Sequence, residues 1–350
     1  MHGGDIYSTK IKYDFSISVN PLGFPRWAKK ALRDSINKIE VYPDPSCRQL
    51  VNLLSSQTGI PKENLVLGNG ASELIPAAMR ALNAKNVLLF SPCFSGYKIA
   101  ADSCRAHVYY LPIEECNNIA NASLESFILE NHIDFIIVAN PNNPDGRLLN
   151  AAFFHELCFA CKKNNAWLLI DECFIELSDR AETHQLSEFK NLPPNIIILR
   201  SFTKVFAMPG LRLGWAYSEK LLCQKIQAQL SEWNISTPAQ NAACAILQNK
   251  RRLELYLTKS RTLIKKERAY LSSSLKKLGF MVPDSEANFI LFKETKKKGE
   301  LYNQLREKKI LIRDCSDFEG LSQGYYRICI KKHRHNKYLV NKITELILKG

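Results

Sequence analysis

Between residues 60 and 220, short runs of β-branched, aliphatic and aromatic residues alternate with stretches whose apolar positions recur every three or four residues. The strand candidates are "NLVLGN", "NVLLF", "HVYYL", "DFIIVAN", "AWLLID", "NIIILR" and "LGWAY", and helical periodicity lies between several of them, as at 72–83 and 150–164. That alternation predicts an α/β fold, a mostly parallel sheet sandwiched by helices. From about residue 236 the pattern changes. A basic amphipathic helix is expected around 238–278, followed by short strands ("ANFILF", "ILIRDC", "YYRICI") and a final helix, a smaller α+β unit. The first 40 residues precede the first α/β unit and are assigned to the smaller one. The expected division is therefore 41–235 for the large domain, and 1–40 with 236–350 for the small one. No internal repeat or low-complexity linker interrupts it.

In open α/β sheets ligands gather at the carboxyl ends of the strands. Here a polar motif follows strand after strand: "GNGASE", "SPCFSGY", "NPNNPDG", "DECF" and "SFTK". One such motif is weak evidence of a site. Five in sheet order predict convergence.

Composition narrows the picture. The chain has 350 residues and a net charge of +14, from 48 basic and 34 acidic residues. The first basic run of the C-terminal third, "NKRRLELYLTKSRTLIKKERAYL", is interleaved with Leu, Tyr and Ile at helical spacing, which reads better as a solvated helix face than as a nucleic-acid surface. Attraction of a small anionic substrate is the more modest use of the same field. Eleven scattered cysteines argue against a disulfide framework. Cys158 and Cys161 have metal-like spacing but fall at core positions of a helix without a second ligand pair, so no metal site is expected. No apolar run approaches the roughly 20 residues of a membrane span. The first residues, "MHGGDIYSTKIKYD", have neither an apolar core nor a cleavage site, so a cytoplasmic protein is expected.

Asp171 and Lys204 each directly follow a strand. A buried carboxylate needs a cationic partner, and two arrangements provide one. Either the two residues form a salt bridge, or a ligand lies between them. A pyridine ring suits the second: a carboxylate keeps its nitrogen protonated, and an aldehyde on it condenses with a lysine amine. "GNGASE" sets a glycine turn before a helix beginning near Ser72, either a phosphate cradle or an ordinary strand-to-helix loop. Ser201, Thr203 and Arg212 carry hydroxyls and a forked guanidinium suited to the same phosphate. Phe94 offers a ring face or a core contact; Asn143 offers a ring hydrogen bond or a plain turn. A dinucleotide-binding dehydrogenase is disfavoured, because no GxGxxG follows the first strand.

"NPNNPDG", "IDECF", "LRSFTKVFAMPGLRLGW" and "YPD" at 42–44 resemble the motifs of fold-type I pyridoxal-phosphate enzymes, the class I/II aminotransferase superfamily, over nearly the whole chain and in order. Within that superfamily "MHGGDI", "FSISVNPLGFP", "GNGASE", "ILIRDC" and "GYYRICIK" look most like the threonine-phosphate decarboxylase branch of cobalamin biosynthesis, and next like histidinol-phosphate aminotransferase. The resemblance implies pyridoxal 5'-phosphate as cofactor, with Lys204 as the lysine that bonds it and Asp171 as partner of the ring nitrogen. It implies that Asn143 meets the ring hydroxyl and Phe94 stacks on the ring. Gly70, Ala71, Ser72, Ser201, Thr203 and Arg212 are implied as holders of the cofactor phosphate, with Tyr42 reaching in from the second subunit of a homodimer.

For the substrate, the resemblance implies that Arg327 grips a carboxylate, and that Arg313, His2, Gly3 and Asn20 surround a phosphate, with Asn143 also in reach. The expected reaction is decarboxylation of an O-phosphorylated amino acid, L-threonine O-phosphate to 1-amino-2-propanol phosphate. L-serine O-phosphate is an alternative substrate, and a histidinol-phosphate-type aminotransferase an alternative activity. Phe174, where aminotransferases carry tyrosine, points to the decarboxylase. Two positions depart from the pattern: Asp145 replaces a threonine of the turn, and Ser18 stands where the decarboxylases have asparagine.

Overall fold

The computed structural model describes residues 3–116, 121–180, 195–295 and 299–348. A two-residue strand, β1 (Tyr13–Asp14), comes first. The main sheet is built from β2 (Leu65–Gly68), β3 (Asn86–Ser91), β4 (His107–Pro112), β5 (Phe135–Ala139), β6 (Trp167–Asp171), β7 (Ile196–Ser201) and β8 (Gly214–Tyr217), in spatial order β2-β8-β7-β6-β5-β3-β4. Only β8 runs against the other six. Each of the seven strand candidates forms a strand of this sheet.

The central strands are apolar on both faces, as expected where helices cover both sides. All five residues of β5 are buried. One buried cluster fills the face carrying Ile136, Leu168, Ile198 and Trp215, and a second fills the opposite face with Ile137, Leu169, Ile197 and Ala216.

Beyond this sheet, β9 (Phe289–Lys293), β10 (Ile310–Leu311), β11 (Arg313–Asp314) and β12 (Tyr325–Cys329) form two small sheets. β11, β12 and β9 are antiparallel neighbours, while β10 pairs in parallel with β1. The N-terminal segment thus joins the C-terminal strands, and Cys329 N donates to the Phe15 carbonyl at 2.8 Å.

The helix expected around 238–278 is two helices, Thr237–Leu247 and Lys250–Lys277. Asn249 divides them: its backbone leaves the helical region (φ −115°, ψ 87°) and its side chain accepts from Arg252 N. A short polar side chain that bonds the backbone favours a helix start over a helix interior, so the apolar period runs on while the helix does not. Among the described residues no helix is long and apolar enough to cross a membrane. Cys161 lies in the core and Cys158 packs at its edge.

Candidate active site

A cavity of about 260 Å³ opens at the carboxyl ends of the central strands, lined by side chains from all five polar motifs and from the small sheets. At its floor is Asp171, the last residue of β6. One carboxylate oxygen accepts from the Tyr97 hydroxyl at 2.7 Å and the other from Cys173 N at 2.9 Å. Burial, and then the adjacent carboxylate, push the Tyr97 phenol well above its ordinary value, so it remains a donor. Tyr97 was not anticipated from the sequence. Its signal is the spacing from Phe94 within "SPCFSGY", which sets both rings on one face of the helix start.

Lys204 is half-buried, on the one-turn helix Phe202–Val205 after β7. Burial, followed by the Arg327 and Arg212 guanidiniums, pulls its amine down to about 8. No ion pair joins Lys204 to Asp171 among the described residues, so the salt-bridge arrangement is not the one adopted. The ring of Phe174 lies 6.0 Å from Nζ and packs edge-on to Phe289 at 5.1 Å.

The segment from Ser201 to Gly214 is a closed loop. Ser201 pairs with Gly214 in the β7–β8 ladder, and Phe202 N donates to the Leu213 carbonyl at 3.1 Å. Ser201 Oγ accepts from Thr203 N, and Thr203 itself is buried. Arg212 turns back in the left-handed region (φ 53°) and donates to Ser72 Oγ at 2.9 Å.

Opposite stands the start of the helix Ala71–Ala81. Gly70 (φ 81°) precedes it and supplies no capping side chain, so the first-turn N–H groups and the helix dipole face the cavity rim. Glu73 holds the turn by accepting from Asn69 N at 2.6 Å. The approach is close. A Cβ on Gly70 would come within 2.5 Å of Arg212 Nη2, and one on Gly214 within 2.5 Å of Ala71 N. On another wall, a Cβ on Gly96 would meet the Phe94 ring at 2.3 Å, so glycine there seats the aromatic face.

Two buried guanidiniums complete the enclosure. Arg327 on β12 faces Arg313 on β11 across the ladder. Arg327 donates to Asn143 Oδ1 and to the Ser16 carbonyl, both neutral acceptors, and its Nε has no partner. Among the described residues no carboxylate pairs with it. Burial, with Arg313 nearby, presses Arg327 below its ordinary value. A buried cation held only by neutral groups is a site for an anion. The Ser18 hydroxyl also lines the cavity, is buried, and has no partner.

The expected residues do not all meet here. Ala71, Ser72, Phe94, Asn143, Asp171, Ser201, Thr203, Lys204, Arg212, Gly3, Arg313 and Arg327 line the cavity, with Gly70 beside Arg212. Asn20 does not. Its amide donates to the Val205 carbonyl and to Ser260 Oγ, and its oxygen accepts from Leu22 N, so it braces the Lys204 turn from behind. Tyr42 is exposed on the surface, 4.6 Å from the Trp233 ring, and is not part of this chain's cavity. His2 lies outside the described residues. Asp145, in place of the threonine, is buried and accepts from Asn142 Nδ2 at 2.9 Å and Arg147 N at 3.2 Å, closing the turn that presents Asn143. Unanticipated is a buried pair beneath the site, in which Arg200 Nε and Nη2 donate to Glu172 Oε2 at 3.0 and 2.5 Å. It ties the residue after Asp171 to the residue before Ser201. Among the described residues no group of three or more His, Cys, Asp or Glu could hold a metal ion.

The model of the family "aminotransferase class I and II" matches residues 10–343. The adenosylcobalamin biosynthesis bifunctional protein CobDQ of Leptospira interrogans is 32% identical over 99% of this chain, which spans 41% of that longer protein. The threonine-phosphate decarboxylase of Salmonella typhimurium is 29% identical, covering 99% of this chain and 96% of its own. The structure of histidinol-phosphate aminotransferase from Clostridium acetobutylicum superposes with a TM-score of 0.87 at 31% identity, over 97% of this chain and 100% of that one. The cofactor of this family is pyridoxal 5'-phosphate. The cavity suits it: an acid at the floor, an aromatic wall, an amine, and a helix start and guanidinium approached so closely that Gly70 and Gly214 leave no room for a Cβ.

Proposed function

The chain belongs to the aminotransferase class I and II family, and from that membership we propose that it decarboxylates an O-phosphorylated amino acid, L-threonine O-phosphate foremost. The observation that carries this reading is the pairing of two buried guanidiniums, Arg313 and Arg327, on one cavity with the amine of Lys204. A substrate with two anionic groups, one at each end of a short amino acid, matches that spacing of charge. Arg327 takes the carboxylate, since its present partners are neutral. Arg313 takes the phosphate.

In this reading Asp171, fixed by Tyr97 and Cys173 N, faces the ring nitrogen. The start of the helix Ala71–Ala81 with Ser72, Ser201, Thr203 and Arg212 holds the cofactor phosphate. Asn143 meets the ring hydroxyl and Phe94 covers the ring. Tyr42 joins from a second subunit. Pyridoxal phosphate, when bound, supplies an aldehyde for the substrate amine and a protonated ring that accepts the electron pair released at the α-carbon. Arg327, braced by Asn143, would decide which bond gives up that pair by fixing the orientation of the substrate carboxylate. The bond from the α-carbon to the carboxylate then breaks, carbon dioxide leaves, and Lys204 Nζ returns a proton to the α-carbon.

The holoenzyme is incubated with L-threonine O-phosphate, L-serine O-phosphate and histidinol phosphate, and each product is identified. The reading expects 1-amino-2-propanol phosphate and carbon dioxide, with no keto acid required. Transfer of the amino group to 2-oxoglutarate sinks it in favour of an aminotransferase, the second reading, which the likeness to histidinol-phosphate aminotransferase supports.

A further inference from the structure

Arg313 and Arg327 face the same cavity, yet their charges are handled in opposite ways. Arg327 reaches neutral acceptors only. Arg313 is already neutralised from within its own loop. Its Nη2 donates to both carboxylate oxygens of Asp317, at 2.7 and 3.0 Å, and its Nη1 donates to the Asp314 carbonyl. Its guanidinium also lies 5.0 Å from the Phe318 ring. All these partners fall within the five residues that follow it, so the chain folds a carboxylate onto the fork.

The placement of Asp317 is informative. Arg313 lines the main cavity, and Asp317 does not. Asp317 instead lines a second cavity, of about 280 Å³, whose wall also includes Gly3, Asp5, Arg306 and Arg313. The guanidinium therefore stands in the partition between the two, held from the far side. Its side chain is 6% exposed and that of Asp317 38% exposed. The arginine is enclosed, and the carboxylate is the more exposed member of the pair.

We propose that Asp317 is a specificity-determining residue: an internal counter-ion on Arg313 that an incoming anion must outcompete, so that the subsite admits a phosphate monoester dianion and rejects singly charged or neutral groups. This rests on the reading that Arg313 meets the substrate phosphate. A carboxylate that displaces Asp317 exchanges one single charge for another and gains no Coulomb energy. A phosphate brings nearly two charges and three strong acceptor oxygens, so the exchange becomes favourable. A neutral side chain cannot displace Asp317 at all.

The test is calorimetric titration of the holoenzyme with inorganic phosphate and, separately, with acetate, for the wild type, Asp317→Asn, Asp317→Ala and Arg313→Ala. Comparison with Arg313→Ala isolates the part of each affinity that belongs to this arginine. Both Asp317 variants are expected to bind phosphate about two- to fivefold more tightly, the scale of a half-exposed ion pair. Acetate meets the same counter-ion and should gain by a similar factor, which lifts it toward measurable binding. Unchanged affinity for both anions in both Asp317 variants overturns the proposal; if Arg313→Ala still weakens phosphate binding, the phosphate-site reading survives it. Phosphate affinity indifferent to Arg313→Ala overturns both together.

Discussion

Lys204 is a base because burial disfavours its charge, and that has a measurable cost. Its folded value, about 8, lies below the ordinary 10.5. Between those two values the unfolded chain binds the proton that the folded chain has released, so the contribution of this group to stability rises with pH across that window. Below about pH 8 the full penalty of housing the ammonium applies. Lys204→Met in the cofactor-free protein should therefore be more stable than the wild type at pH 7, by up to roughly 3 kcal/mol. The advantage should shrink from about pH 8 to 10.5. Denaturant unfolding at a series of pH values checks it, and a pH-independent difference would count against a buried ammonium as the cause. The lysine itself was legible in the sequence as an amine in the polar motif that follows a strand. Tyr97, which holds Asp171, was not, because a tyrosine at a helix start looks the same whether its hydroxyl meets water or a carboxylate.

At the scale of elements, β8 and the helix Ala71–Ala81 approach until only glycine fits between them. Gly214→Ala places a Cβ 2.5 Å from Ala71 N and 2.8 Å from Gly70 C, both backbone atoms that cannot swing aside. The helix start must shift, at the roughly 1–3 kcal/mol typical of overpacking. Affinity for pyridoxal phosphate should then fall on the order of tenfold or more, with far-ultraviolet circular dichroism preserved. Absorbance titration of the cofactor-free variant measures it, and wild-type affinity would refute the cradle. Strands were readable from composition and length, since runs such as "FIIVA" fit a sheet buried on both faces. Helix ends were less so. The division at Asn249 depends on one side chain choosing the backbone over water, and no periodicity reports that choice. Asn20 shows the same limit from the other side: an asparagine beside a site is indistinguishable in sequence from one that braces it, and the contacts at Val205 and Ser260 are 185 and 240 residues away. The Arg200–Glu172 pair spans 28 residues and two strands, so only the parallel register of β6 and β7 brings it together.

The molecule as a whole carries +14, and its proposed substrate is an anion. Such a field raises the encounter rate and is screened by salt. Between about 0.01 and 0.15 M salt the Debye length contracts from about 30 to about 8 Å. The kcat/KM for a phosphorylated amino acid should fall several-fold over that range while kcat holds. Steady-state kinetics at constant pH decides it; a flat profile would assign the charge to solubility alone. The loop closed by Ser201 and Gly214 has a further consequence at this scale, in what the gene is free to change. Amine and guanidinium hang on one tether of set length, clamped at both ends by the same ladder. Letters within it that the site does not use can be exchanged one at a time. An added or deleted codon cannot be absorbed there: it either turns Lys204 or Arg212 away, or slips β8 by one place. A slip would bring Trp215 to the face that now holds Ala216, reversing the packing on both sides of the sheet. This stretch is closed to length variation, and the distance between its lysine and its arginine is inherited as a single unit.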